Sequence, residues 1–357
     1  MTSQTGRRGR WLTGLVSALA VTAATLWQGA GGLAAEAPLV EAEAGRMISP
    51  AAEKAIENGL RYLARAQHED GSFASGGYRG NVAISGLAGL AFLASGSTPN
   101  RGPYGENVDR AVRYIMDRTQ ESGFITAPGS ASHGPMYGHG FAALCLAECY
   151  GMSAEEELRD KLARAVNLIV NTQNDEGGWR YQPRRLDADI SVTICQVMAL
   201  RAARNAGIEV PRETIDKCIA YVRRCQNPDG GFMYMASGGE SAFGRSAAGV
   251  VALHSAGVYE GPELAKGIQY LMGFLPGQSS AASAGSYYYY AHYYAVQAMW
   301  RQGGTFWQRW YPAIRDELVE RQRSDGSWVS PISPEYATAM SCIVLQVPNN
   351  YLPILQR

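Results

Sequence analysis

Two carboxylates one residue apart, in Asp187-Ala-Asp189-Ile-Ser-Val-Thr193, stand at the head of an apolar run that continues to Leu200. Carboxyl groups can give or take a proton, and two held close together retain one because both cannot ionise at once. Other ionisable or hydrogen-bonding groups head further apolar runs: Asn81 with Ser85, His139, Arg245, Tyr289, Tyr290, His292 and Tyr293, and finally Glu335 with Tyr336. One such group per repeat unit is what a functional rim would look like. Asp189, Asp187, His139 and His292 are its candidate catalytic groups. Arg245, Tyr289, Tyr290, Tyr293, Glu335 and Tyr336 are its candidate substrate contacts. Tyrosine faces stabilise cations and equally stack on sugars. The alternative is structural: Asp and Ser are ordinary helix N-caps, and a tyrosine-rich helix can simply pack by area.

The elements that would position these groups follow from an internal repeat. Gln67-His-Glu-Asp-Gly-Ser-Phe73 recurs as Gln173-Asn-Asp-Glu-Gly-Gly-Trp179, Gln226-Asn-Pro-Asp-Gly-Gly-Phe232 and Gln322-Arg-Ser-Asp-Gly-Ser-Trp328, with a shortened Gln120-Glu-Ser-Gly-Phe124 between the first two. Three successive gaps between the glutamines are 53 residues, and the last, 96, is close to two periods. A degraded copy is therefore expected at Tyr270-Leu-Met-Gly-Phe-Leu275, which makes six units. Before each phrase lies a one-sided apolar pattern, as in Ala55, Ile56, Gly59, Leu60 and Leu63. After it comes a helix apolar nearly all round, such as Ile84 to Leu93. The Asp-Gly and Gly-Gly pairs supply the positive φ of a turn, with Gly178 and Gly231 expected to need it. Alternating one-sided and all-round helices predict two concentric layers: an all-α, single α/α toroid of six helix hairpins. The twelve helices should form pairs starting near residues 51, 107, 158, 212, 262 and 307. The sixth unit is as apolar as the rest, which favours a closed ring over an open solenoid with polar caps.

Residues 1–35 read as a signal peptide: Arg7, Arg8 and Arg10, a charge-free apolar stretch from Trp11 to Trp27, then small residues up to Leu33-Ala34-Ala35. The chain is then expected to be exported, periplasmic or extracellular, or membrane-anchored if the signal is retained. Residues 36–50 are a linker, 51–347 the toroid and 348–357 a C-terminal tail. No later stretch is long and apolar enough to span a membrane. Removal of the signal leaves a net charge of −3, since no acidic residue precedes Glu36. That balance argues against a nucleic-acid partner, which needs a basic face. The six cysteines lack metal spacing and read as buried small hydrophobes, although export leaves a Cys218–Cys225 or an inter-repeat disulfide open. No cofactor is expected.

The glutamine phrase at this spacing resembles the repeat of the terpenoid cyclase and protein prenyltransferase superfamily, which includes squalene–hopene cyclases and prenyltransferase β subunits. The resemblance covers roughly residues 51 to 347. It implies that chemistry sits where the inner helices begin, at the mouth of a central cavity. Asp187-Ala-Asp189-Ile-Ser-Val-Thr193 is similar to the Asp-x-Asp-Asp-Thr-Ala motif of cyclases that protonate an alkene. Asp189 matches the middle, proton-donating Asp, while Ile190 replaces the third and leaves Asp187 as its charge partner. Tyr288-Tyr-Tyr-Ala-His292 resembles the prenyltransferase segment that carries a zinc-binding His. The matching Asp-x-Cys ligands are missing from Phe243 to Ser246, so zinc would need His139, Asp189 and His292 together.

Three readings follow. The first is an exported toroid that binds an apolar small molecule, lipid or isoprenoid-type ligand, with Asp189 as acid if it is an enzyme. The second is a carbohydrate-active, polysaccharide lyase-like toroid using Asp189 or Glu335, with Arg245 on a sugar carboxylate. The third is a non-catalytic binding or scaffold toroid. An apolar cavity of several hundred Å3 favours the first, an open acidic groove the second and a filled centre the third.

Overall fold

The computed structural model describes residues 47–153, 155–278 and 287–356; the signal-peptide reading of residues 1–35 lies outside them. Twelve α-helices occur among these residues. The outer helices are α1 (Pro50–Ala66), α3 (Gly105–Asp117), α5 (Glu156–Thr172), α7 (Arg212–Arg224), α9 (Pro262–Met272) and α11 (Gly304–Arg321). The inner helices are α2 (Val82–Leu93), α4 (Pro135–Ser153), α6 (Ile190–Asn205), α8 (Phe243–Ala256), α10 (Tyr288–Gln302) and α12 (Pro334–Gln346). The β structure found among the described residues consists of isolated bridges in turns.

The division into layers follows from side-chain periodicity. Helix α1 buries Ala52, Ala55, Ile56, Gly59, Leu60 and Leu63 and leaves its other face wet. Helix α2 buries every residue except Ala83, as a helix with neighbours on all sides must. Each inner helix packs on the next, and α12 packs on α2 and α1, so the ring closes.

The repeated glutamine stitches the units together. Gln173 Nε2 donates to Gly177 O (2.9 Å) within its own turn and to Thr214 O (2.8 Å) in the first turn of α7. Gln67 and Gln226 bridge in the same way to Asn107 O and Glu263 O. Gln322 reaches Ala55 O of α1 at 2.8 Å, so the bond that links successive units also joins the last to the first. In the four full copies of the phrase the aromatic residue is fully buried, and its backbone N–H donates to a hydroxyl on the following inner helix. Phe73 uses Ser85, Trp179 uses Thr193, Phe232 uses Ser246 and Trp328 uses Thr338.

The turn glycine with positive φ is the first of each pair, not the second. Gly177 (φ 100°) and Gly230 (φ 88°) take the left-handed conformation, and Gly178 and Gly231 do not. Gly178 is instead required by space, because a Cβ there would stand 2.6 Å from the Ala188 Cβ. All six cysteines are buried free thiols, so neither a Cys218–Cys225 bond nor an inter-repeat disulfide is formed.

Candidate functional site

The ring encloses a cavity of about 770 Å3 that opens between the N-terminal ends of the inner helices. Its wall carries eleven aromatic side chains, with Ile84, Leu87 and Ile332 among the aliphatic ones. Among the described residues no Asp or Glu lines it, and Arg245 is the one Lys or Arg that does. The opposite end of the ring is covered by the C-terminal tail. There Trp300 Nε1 donates to Leu355 O (2.9 Å), Arg301 donates to Ile354 O (2.6 Å), and Ile354 N donates to the buried Glu148 carboxyl (3.3 Å). Burial pushes Glu148 up to about 8.

Of the rim residues read from the sequence, Asn81, Arg245, Tyr290 and Tyr336 line this cavity. Asp189 lies one layer behind the wall. It is fully buried and N-caps α6, its Oδ1 accepting from Ser191 N and Val192 N at 2.9 Å each. Its Oδ2 has no hydrogen-bond partner in its buried position, and the Arg180 Nε stands 3.7 Å away. Burial raises the carboxyl to about 6, opposed by the Val192 N–H, the Tyr234 hydroxyl, the Ser191 N–H and Arg180. Tyr181 and Tyr234 line the cavity, their hydroxyls are hydrogen-bonded to each other, and the Arg180 guanidinium lies over both rings. Asp187 is half exposed and ion-paired to Arg180, outside the cavity.

The remaining candidates face away from the cavity. His139 is fully buried behind the wall with both ring nitrogens committed: Nδ1 accepts from Ile125 N (3.1 Å) and Nε2 contacts Ala165 O (3.2 Å). It occupies the slot that Ser or Thr fills in the other turns, and desolvation lowers it to about 4. His292 is buried against Phe243, Tyr288 and Trp310, with neither nitrogen hydrogen-bonded. Desolvation, reinforced by the Arg321 charge, takes it down to about 3. Tyr293 packs edge-on to Phe141 and Tyr289 edge-on to Tyr336, both outside the lining. Glu335 is buried below the surface with Oε2 unpaired. His139, Asp189 and His292 do not converge, and no group of three or more metal-capable side chains occurs among the described residues. The geometric reason is shared: a residue that begins an inner helix can point to the ring centre or back between the layers, and only the first direction reaches a ligand.

Sequence reasoning missed Arg180, Tyr181 and Tyr234. The signal existed, because Tyr181 and Tyr234 each stand two residues after the phrase's aromatic and are one 53-residue period apart. Phe274, in the degraded fifth copy, stacks on Phe243 (centroids 4.8 Å, 8° between planes) and completes the wall.

This geometry is that of an α/α toroid with a closed-ended aromatic cavity. The family model of the squalene-hopene cyclase C-terminal domain matches residues 141–281, and that of the prenyltransferase alpha-alpha toroid domain matches residues 46–180. Between them the two models liken residues 46–281 of this chain to the toroids of the terpenoid cyclase-like superfamily. Drimenyl diphosphate synthase from Streptomyces showdoensis is 28% identical over 179 residues, a match spanning 50% of this chain and 32% of that protein. The type II terpene cyclase MstE from Scytonema, in complex with merosterolic acid A, superposes with a TM-score of 0.60 at 14% identity, covering 86% of this chain and 99% of its own. An inactive variant of an alpha-1,6-mannanase from Salegentibacter, bound to alpha-1,6-mannotriose, gives 0.62 at 9% identity over 83% and 99% of the two chains. At such identities these two structures establish the fold alone.

Proposed function

We propose that the toroid binds an apolar, isoprenoid-type ligand in its central cavity. The observation that carries this is the wall: eleven aromatic rings and aliphatic side chains around about 770 Å3, with no carboxylate facing inward among the described residues. Pockets of this size and character bury most of a small ligand's apolar surface, at roughly 25 cal/mol per Å2 removed from water. A sugar-cleaving toroid needs two carboxylates flanking the scissile bond, and this cavity offers none on its surface. The N-terminal segment, read as an export signal, would place the binding event outside the cytoplasm.

Within this reading Asp189 is the candidate acid. The Ser191 and Val192 N–H groups hold Oδ1, which leaves Oδ2 to carry the proton. A carboxyl near 6 is partly protonated close to neutrality, and exclusion of water by an apolar ligand raises it further. Reaction would require the Tyr181–Tyr234 wall to yield to the substrate.

Native mass spectrometry of protein purified without detergent, followed by titration with farnesol and geranylgeraniol, tests the binding. A bound apolar molecule or saturable binding of either alcohol is expected. Release of an oligosaccharide, or failure to bind either alcohol, overturns it. If Asp189 is the acid, Asp189→Asn binds normally and loses turnover; turnover surviving in that variant removes the acid role.

A further inference from the structure

Arg245 is the one Lys or Arg in the cavity wall, and it has no ion-pair partner among the described residues. It stands in the first turn of α8, and its Nε is buried without a hydrogen-bond partner. The nearby carboxylate of Asp229, which acts on the same Tyr270 hydroxyl as Arg245 does, is already engaged, accepting from Gly231 N (2.9 Å) and Ser241 Oγ (2.8 Å). Arg245 is half-buried, with its Nε out of solvent and unpaired, so an anionic ligand group at the mouth would complete it. The backbone adds to this demand. Unlike α2, α6 and α12, which Asn81, Asp189 and Ser333 cap with side-chain oxygens, α8 begins at Ala242 with no side-chain cap. Its first N–H groups, with Gly244 in the wall beside them, point positive potential at the same spot.

We propose that the cavity takes an amphiphile with a single anionic headgroup, a carboxylate, which pairs with Arg245 at the mouth while its hydrocarbon chain fills the aromatic interior. This rests on the apolar-ligand reading above and specifies its chemical class. The charge count selects a carboxylate over a diphosphate. A diphosphate carries more than one negative charge and is ordinarily met by several cations or by a metal. Here one guanidinium lines the cavity, and no metal-capable cluster occurs among the described residues. A planar guanidinium, by contrast, matches a carboxylate in a two-point pairing. Orientation follows as well. Arg245 sits where the cavity opens, and the far end is closed by the C-terminal tail, so the head stays at the mouth and the chain points inward.

The test compares three ligands of one hydrocarbon length, geranylgeranoic acid, geranylgeraniol and geranylgeranyl diphosphate, by calorimetric titration of the full chain, its Arg245→Gln variant and its Arg245→Lys variant. In the unaltered protein the acid should bind at least roughly tenfold tighter than the alcohol, about 1.4 kcal/mol, and the diphosphate no tighter than the acid. Arg245→Gln should erase the preference for the acid over the alcohol, and Arg245→Lys should restore part of it. An unchanged far-ultraviolet circular dichroism spectrum and cooperative melting of Arg245→Gln show that the variant is folded. Equal binding of acid and alcohol by the unaltered protein, or a preference that survives Arg245→Gln, overturns the carboxylate proposal while leaving the apolar cavity standing. A diphosphate bound more than about tenfold tighter than the acid overturns the single-charge assignment. Failure of all three to bind overturns both readings.

Discussion

Asp189 illustrates how one side chain can serve architecture and chemistry at once. Its Oδ1 satisfies two N–H groups that the first turn of α6 would otherwise leave open, while its Oδ2 lies buried and unbonded. Its folded-state value of about 6 is above the 3.8 of the free side chain. A raised carboxyl contributes stability that is complete below the unfolded value and is lost as pH rises through the folded one. The shift corresponds to about 3 kcal/mol at most. Asp189→Asn keeps the cap without the charge. Between about pH 4 and 7 its stability should therefore rise relative to the unaltered protein, and denaturation at a series of pH values reads this directly. Parallel profiles would show that the buried carboxylate is compensated by Arg180. Asp189→Ala, which loses the cap, should fall about 1 kcal/mol below Asp189→Asn. His139 makes the complementary point: it resembles a catalytic group by type, yet it does the work of a turn hydroxyl.

At the level of the element, the phrase is a joint between neighbouring hairpins. Gly177 combines a left-handed φ with contact to the next outer helix, where a Cβ would lie 2.2 Å from the Lys217 carbonyl oxygen of α7. Gly207 at the end of α6 has a similar φ of 88° but open space around it. Alanine at either position incurs the left-handed strain of about 1–2 kcal/mol. Only Gly177→Ala must also push α7 away. Chemical denaturation should thus show Gly177→Ala losing clearly more stability than Gly207→Ala, and equal losses would mean the joint is soft. Gln173→Leu should cost about 1–3 kcal/mol, because it strands the Gly177 and Thr214 carbonyls.

For the whole molecule, closure and end-sealing are separate devices. Closure comes from α12 against α2 and from Gln322 to α1. Sealing comes from the tail, whose Ile354 and Leu355 carbonyls receive Arg301 and Trp300 and whose Ile354 N–H meets Glu148. The cavity lies among the opposite helix ends. Removal of residues 351–357 should lower the melting temperature by several degrees, as expected for a loss of about 1–2 kcal/mol in a chain of this size. Affinity for an apolar ligand should stay within a factor of about two, well under 1 kcal/mol. A large affinity loss on truncation would mean that the ligand reaches the sealed end.

Periodicity alone determined the six hairpins, the two layers and the helix starts, because burial demands are written locally: a one-sided helix has one partner surface and an all-round helix has several. Ring closure was read from the sixth unit, as apolar as the rest, while the glutamine bond from Gln322 to Ala55 of α1 is seen only in the folded chain. The site was less legible. Asn81, Arg245, Tyr290 and Tyr336 face the cavity, whereas His139 and His292, equally polar and equally placed at the heads of inner helices, turn back between the layers. Whether a residue looks inward depends on the rotation of its helix about its own axis, set by packing against two inner neighbours and one outer helix far away in sequence. Only the tertiary structure decides that rotation. It left one guanidinium without an ion-pair partner in an aromatic chamber and placed the carboxylate of Asp189 just behind the wall.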